Sequence, residues 1–512
     1  MKYCKGLLFV FLFFVLYGCG KSAETYPYAE LSVKDFDSLR NESYVMNPRA
    51  VQWYIDSIRL ASKDTAFVDF YVNRYYAGRN PYIWIDMRGA DGRVDTLARQ
   101  LSGVEGEAIK SRTVFVGRIT EAIEQLRNFD FTTAGNINLT LATLEYFSTK
   151  ALARYVSGMQ FGFVNPKKFM NRLEKEDPED SLCKDFRVLY AVPTDVCDEK
   201  FLDSLISSAA DGSFAEKMKD AHCKNKKYLR LREEYAKKGL TLEQRRKLAV
   251  NMERFRWETE RDVPKYVWVN VPDFMLRAAD EAGNASLRMR VCVGSRRHKT
   301  PLLTSEIKRL ELNPEWTVPQ SIIRKEISVR HAEDEEYFER NQMRIIDKGT
   351  GEEVLPADIT ADMLISGNYR VVQRKGEGNS LGRMIFRFDN DFAIYLHDTP
   401  NRQTFGSSQR AVSHGCVRVE KPLELAVFLL DDKDPVLIDK IRMAIDLPPV
   451  TDEGKELAKK EGLKHIGLKT FKPEIPLFIT YYTAYPDEDG NIVYTSDPYE
   501  YDEKIYRLLD SY

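Results

Sequence analysis

The sequence has little cysteine, little histidine and no surplus of charge. Seven cysteines in 512 residues are too few for a disulfide scaffold. No CxxC or HxxxH pair offers a metal its usual spacing, so neither a metal nor another cofactor is expected. Lys and Arg total 76 against 78 Asp and Glu, a formal net charge of −2, which gives no global field to steer the chain onto nucleic acid. Past the first twenty or so residues no apolar run approaches the roughly 18 needed to span a bilayer. Yet 43% of residues are apolar and 12% aromatic, too many for a disordered chain. What is left is a globular chain with room for about three domains of roughly 150 residues.

The first segment is distinctive. Lys2 and Lys5 precede the apolar run from Leu7 to Leu16, followed by Tyr17, Gly18 and Cys19. A basic start, a short apolar run and a small residue at the break read as an export signal over residues 1–18. Leu16-Tyr17-Gly18-Cys19 resembles a bacterial lipobox, with Tyr17 where a small residue is usual. That resemblance implies a lipidated Cys19, a tether over 19–41 and a periplasmic protein anchored to a cell-envelope membrane. An ordinary secretory signal with a chance cysteine is the alternative. Five thiols then remain, Cys183, Cys197, Cys223, Cys292 and Cys416, and an odd count in an oxidising compartment leaves at least one unpaired.

From about Val51 to Lys247 helical periods dominate. Val116, Ile119, Ile123 and Leu126 recur at three- and four-residue steps, as do Leu141, Leu144, Phe147, Leu152 and Tyr155. The Lys-, Arg- and Glu-rich stretch 217–247 reads as a solvated face. At about Val263 the period falls to two. Tyr266 to Val271 and Leu287 to Val293 read as strands joined through Gly283-Asn284. Met384–Phe388 and Phe392–Leu396 flank Asp389-Asn390-Asp391 as a hairpin, and a last hairpin is expected from Leu477–Tyr485 to Ile492–Tyr494 around Asp489-Gly490. The polar stretch 331–369 reads as a lid or a disordered insertion. The fold class is therefore α+β, a helical N-terminal half followed by a mostly β half.

Chemistry concentrates in one place. His397-Asp398-Thr399-Pro400 is followed by Ser413-His414-Gly415-Cys416-Val417-Arg418, so two of only six histidines lie within nineteen residues of Cys416. A thiol with a pKa near 8.5 is only about 3% ionised at pH 7, so a nucleophilic cysteine needs a base beside it. His397 and His414 both qualify. His397 comes from a separate strand and can approach freely, so it is the expected base. The N–H groups of Gly415 and Cys416 are the expected oxyanion donors. Ser413 is expected to fix the loop, the Asp398 carbonyl to orient His397, and Arg418 to orient the loop or meet a substrate carboxylate, a role for which Arg402 and Arg410 compete on charge.

His397 with Ser413-His414-Gly415-Cys416 resembles the signature of the L,D-transpeptidase (YkuD-like) family. Similarity to its long periplasmic YcbB-like branch spans Asn251 to Leu430 and includes Asn270-Val271-Pro272-Asp273-Phe274, Asn313-Pro314-Glu315-Trp316 and Asn379-Ser380-Leu381-Gly382. The resemblance implies a helical scaffold domain over 42–250 and a mostly β catalytic domain over 251–445. It also implies a capping insertion over 331–369 and a C-terminal segment, 446–512, whose hairpin packs on the catalytic domain. It implies Cys416 as nucleophile and His397 as base, with Ser413, His414, Gly415 and Arg418 lining the site. The implied partners are peptidoglycan stem peptides: a tetrapeptide is acylated onto Cys416 with release of D-Ala and passed to a diaminopimelate amine, giving a 3→3 cross-link. An L,D-carboxypeptidase or cross-link hydrolase on the same site, and a non-catalytic wall-binding lipoprotein, are the other readings.

Overall fold

In the computed structural model the described residues are 47–62, 64, 66–86, 89–131, 135–176, 184–258, 263–280, 285–334 and 336–511. The export signal, Cys19, the tether, Cys183 and the Gly283-Asn284 turn lie outside them. The chain forms two compact units.

The helical unit draws on 47–165, 194–258 and 503–511. Its axis is the helix Ile137–Phe161, buried on almost every face. Asn136 begins it by accepting the Leu139 N–H at 3.1 Å, which satisfies one of the donors a helix start leaves open. Helices Pro48–Ala61, Phe67–Ala77 and Val116–Asn128 surround it, the last burying the predicted Ile119, Ile123 and Leu126. With no solvent face, the central helix has to pair its polar side chains internally. Glu145 accepts the Ile83 and Trp84 N–H groups at 2.7 and 2.8 Å and the Tyr76 hydroxyl at 2.7 Å. Burial pushes its carboxyl up to about 7. Lys150 meets Asp64 at 2.5 Å, and Arg154 forks onto Asp69 at 2.7 and 2.6 Å. Among the described residues no helix is long and apolar enough to cross a membrane.

The β unit draws on 166–193 and 259–502. Besides Tyr190–Ala191, which pairs in parallel with Leu302–Leu303, the strands of its main sheet are β1 (Tyr266–Asn270), β2 (Met275–Ala279), β3 (Ala285–Gly294), β4 (Leu302–Leu312), β5 (Met384–Phe388), β6 (Leu396–His397), β7 (Ala411–Ser413), β8 (Val417–Val419) and β9 (Leu468–Thr480). They pair in the order β5-β6-β8-β3-β2-β1-β9-β4, and β4 pairs again with β5, so the sheet closes on itself. β7 adds in parallel beside the end of β3. Alternate residues along β1 and β2 (Val267, Val269, Leu276, Ala278) are buried, the period-two pattern expected of a strand with one face on a core.

Several expectations change. The expected strand Phe392–Leu396 shrinks to Leu396–His397. The Asn390 side chain explains this: it accepts the N–H groups of Phe392 and Ile394 and donates to the carbonyls of Phe388 and Ile394, wrapping 389–395 into a loop. Leu477 to Thr480 are not a hairpin arm but the end of β9, held between β1 and β4; the hairpin is Ala484–Pro486 with Ile492–Tyr494. The stretch 331–369 is part of a larger ordered cap. Four strands, Trp316–Thr317, Met343–Asp347, Glu353–Val354 and Tyr369–Gln373, form a separate sheet. Over it lie Gln320–Ile322 and Ser328–Glu333, helical, with a π-helical stretch, Ile323–Ile327, between them. The cap has its own apolar core of Val318, Ile323, Ile327, Phe338, Ile345, Leu364 and Val371. The linear boundaries at 250 and 446 also give way, since 166–193 joins the β unit and 503–511 the helical one.

Phe338 is fully buried in the cap core, so Phe338→Ala should cost the cap about 3–5 kcal/mol. Amide hydrogen exchange should then quicken across 316–373 and stay slow in β1 to β4; uniform acceleration would show that the cap has no core of its own.

Candidate active site

The site begins with the parallel pairing of β6 and β8, Leu396 opposite Val417 and His397 opposite Arg418. The Val417 N–H donates to the Tyr395 carbonyl at 3.1 Å, continuing the register so that Tyr395 lies beside Cys416. Side chains alternate along a strand, which puts Tyr395, His397, Cys416 and Arg418 on one face. Their contacts agree. The Tyr395 and His397 rings meet edge to face at 5.7 Å, the Tyr395 hydroxyl and amide both face the Cys416 sulfur, and Arg418 bears on both Cys416 and His397.

His397 is buried and donates from Nδ1 to the Asp398 carbonyl at 2.5 Å. That bond fixes the tautomer and leaves Nε2 as the acceptor. Asp398 is itself held by the Arg383 N–H at 2.9 Å and by Arg402 at 3.2 Å. Burial, with the Arg418 cation next in weight, holds the ring well below its ordinary value, to about 3. Burial also pushes the Cys416 thiol up to about 11, against the opposing pull of the Tyr395 donors, Arg387 and Arg418. The resting pair is therefore a neutral thiol and a neutral imidazole.

The nucleophile loop is clamped from several directions. Ser413 Oγ donates to the Cys416 carbonyl at 2.5 Å and accepts the Gly415 N–H at 3.1 Å, so it fixes the loop. Thr300 Oγ1 accepts the Gly294 N–H and donates to the Gly415 carbonyl, both at 2.8 Å. Gly415 sits at φ +119°, a conformation L side chains rarely adopt. Gly294 is equally confined, since a Cβ there would stand 2.0 Å from the His298 carbonyl.

The remaining expected residues separate. Gly415 is not a free oxyanion donor, because its N–H is spent on Ser413. Among the described residues the Cys416 N–H has no acceptor, while the Tyr395 hydroxyl is directed at the Cys416 sulfur. His414 is exposed and turned by Gly415 toward Glu326 of the cap, with Nε2 to Oε1 at 2.5 Å. Arg402 and Arg410 hold backbone: Arg402 the Glu420 carbonyl, Arg410 the Val291, Ser407 and Phe274 carbonyls. Arg418 differs, with a buried Nε that has no hydrogen-bond partner. Among the described residues Cys197, Cys292 and Cys416 are free thiols. Sequence reasoning gave no role in the site to Tyr395, Thr300 or Glu326. Tyr395 was within reach, because a residue two before a strand histidine shares its face.

The L,D-transpeptidase catalytic domain family (YkuD) matches residues 264–438, and the Scaffold domain family matches 70–234. The β unit carries an L,D-transpeptidase catalytic domain at residues 264–438. A curated relative, the putative L,D-transpeptidase of Haemophilus influenzae, is 33% identical over 260 residues, which is 51% of this chain and 48% of that protein. The chain thus matches about half the length of that relative. Solved structures of L,D-transpeptidases are similar over 42% of this chain. The Mycobacterium smegmatis enzyme is 13% identical with 58% of it covered (TM-score 0.17), and enzyme 3 of Mycobacterium tuberculosis is 9% identical with 61% covered (TM-score 0.18).

Only the thiolate reacts with an alkylating agent, and the Cys416 thiol ionises at about 11. Iodoacetamide modification of Cys416 in this L,D-transpeptidase domain should therefore rise about tenfold per pH unit from pH 7 toward pH 10. Tyr395→Phe removes a donor that favours the thiolate and should slow modification at each pH. Peptide mass spectrometry follows the rate, and a plateau near neutrality would contradict the neutral resting pair.

Proposed function

We propose that the chain is an L,D-transpeptidase that forms 3→3 peptidoglycan cross-links through a Cys416 thioester. The observation that carries this reading is the shared face of Cys416 and His397, with the His397 Nδ1 tied to Asp398 and Nε2 left as the accepting nitrogen. His397 Nε2 takes the thiol proton as Cys416 attacks the carbonyl joining the L-centre of diaminopimelate to the terminal D-Ala of a tetrapeptide stem. The Cys416 N–H and the Tyr395 hydroxyl stabilise the oxyanion. Collapse breaks the C–N bond, the His397 proton leaves with the D-Ala amine, and the acyl group stays on sulfur. The side-chain amine of a second stem then displaces the thiolate. Arg418, with its unpaired Nε, suits a carboxylate of the donor stem.

The same reading places the protein in the periplasm, held to a membrane by lipid on Cys19. Cys19→Ser should move it from the membrane pellet to the soluble fraction, and a variant that stays in the pellet would remove the anchor.

Given disaccharide-tetrapeptide, the purified protein should yield cross-linked dimer and free D-Ala. Cys416→Ala should abolish both products and His397→Gln should cut them about a thousandfold. A carbapenem should add one adduct mass, mapped to the peptide that carries Cys416. Dimer formed by Cys416→Ala would end the proposal.

A further inference from the structure

One cluster of titratable groups beside the nucleophile has no part in that acylation step. His414 Nε2 meets Glu326 Oε1 at 2.5 Å, and the His414 ring lies 4.8 Å from that of His298, whose Nδ1 faces Ser295 Oγ at 3.3 Å. Glu326 belongs to the π-helical stretch Ile323–Ile327 of the cap. Such stretches are rare and recur at functional sites. The side chains of His414 and Glu326 stay 39% and 40% exposed, open to solvent and ligand. His414 stands two residues before the nucleophile, so their Cα atoms lie within about 7 Å.

Accepting from Nε2–H, Glu326 fixes a tautomer of His414 in which Nδ1 carries the lone pair. Asp398 imposes the opposite tautomer on His397. Two imidazoles therefore flank the stretch that carries Cys416, His397 on the face the sulfur shares and His414 two residues before it, each with one nitrogen tied. They differ in hydration, His397 being buried and His414 exposed. Making an amide requires two deprotonations, first of the thiol and then of an acceptor amine that arrives as an ammonium near neutral pH. The second is best done by a base that can release its proton to water, beside a negative charge that draws the ammonium in.

We propose that Glu326 and His414 form the acceptor-amine site: Glu326 attracts the ammonium and His414 Nδ1 takes its proton. The proposal rests on the transpeptidase reading above. In the step, one N–H bond of the ammonium breaks toward His414. The freed lone pair forms the C–N bond at the thioester carbonyl, and the C–S bond breaks. The amine's second proton returns through His397 to the Cys416 thiolate, and His414 gives its own proton to water. Acyl thioester and ammonium thus become amide, thiol and a released proton. The charged and titratable groups around the dyad are Glu326 from the cap with Tyr337 and Arg330 near it, His298, and Arg187 and Arg297 near His298. Burial, His414 and those two arginines hold His298 below its ordinary value, which keeps it neutral and spares His414 a second imidazolium. Water as acceptor has no ammonium to attract or deprotonate, so the dyad favours cross-link over hydrolysis.

The test uses the full chain with disaccharide-tetrapeptide as donor and acceptor, reading the ratio of dimer to tripeptide by mass, with carbapenem acylation followed in parallel. Glu326→Gln should lower that ratio about a hundredfold while slowing acylation far less, and Glu326→Asp should restore part of it. Raising the pH toward about 10, where the amine deprotonates unaided, should narrow the gap. An unchanged ratio in Glu326→Gln, or acylation and dimer falling together, would overturn the proposal while leaving the thioester reading intact. A wild-type protein that takes no carbapenem and releases no D-Ala would instead bring down that reading and this one with it.

Discussion

Two residue pairs, Leu396 opposite Val417 and His397 opposite Arg418, carry most of the chemistry of this chain. Parallel neighbours cannot be joined by a tight turn, so residues 398–416 must travel from the end of β6 back to the start of β8. That return path holds the whole nucleophile loop. Because the two strands run the same way and in register, a sulfur at the mouth of one meets a tyrosine at the mouth of the other and shares a face with an imidazole that the same tyrosine touches. A shift of one residue would send His397 to the opposite face from Cys416. The closed sheet resists such a slip, because β5 is bound on both edges, by β4 and β6, and β6 in turn by β8.

The same burial has opposite signs on the two reacting groups. It raises the thiol and lowers the imidazole, since each charged form would lose water. The site at rest therefore holds no ion pair. In the proposed reaction, charge is created only when a carbonyl arrives whose oxygen can take the negative end. A dry neutral pair also has a protective side: a thiol kept protonated is a poor target for oxidants.

How far the sequence speaks depends on whether the signal is local. The helices around Ile119 and Leu141 and the strands at Tyr266 and Leu287 were legible because apolar periodicity is a local property. His397 and Cys416 were legible because rare residue types stood close together in the chain. Thr300 was not, because a threonine more than a hundred residues before Gly415 carries no local mark of the bonds it makes. Gly415 was misjudged for a related reason. Its N–H looks available in the sequence, and only the fold reveals that Ser413 Oγ reaches it first. Glu326 lies before the polar stretch 331–369, a single carboxylate between Lys325 and Ile327 with no local mark of the histidine it meets, and the cap's apolar positions are too interspersed with charge to suggest a core. The order of 389–395 turns on a single Asn390 amide that does the work of four backbone partners, an arrangement hairpin rules do not anticipate.

The clamp on the nucleophile loop links catalysis to residues near the end of the β unit. Tyr499 accepts the Thr300 N–H at 3.0 Å and donates to the Gly294 carbonyl at 2.7 Å. Its own N–H is fixed by the Tyr481 hydroxyl at 2.8 Å. Thr300 in turn holds both Gly294 and Gly415, so Tyr481, Tyr499, Thr300 and Gly415 form one chain of hydrogen bonds, buried from end to end. In a dry interior an unmade bond costs more than a made one gains, so each link keeps the next in place. The loop that presents Cys416 is thus held by two tyrosines far downstream, Tyr481 and Tyr499, and the segment after β9 is part of the β unit's clamp and not an appendage to it. The cap works differently. It reaches the loop through an exposed carboxylate on His414, a contact that water can enter and that breaks at small cost. One side of the nucleophile is therefore built for permanence, the other for exchange with what comes in from solution.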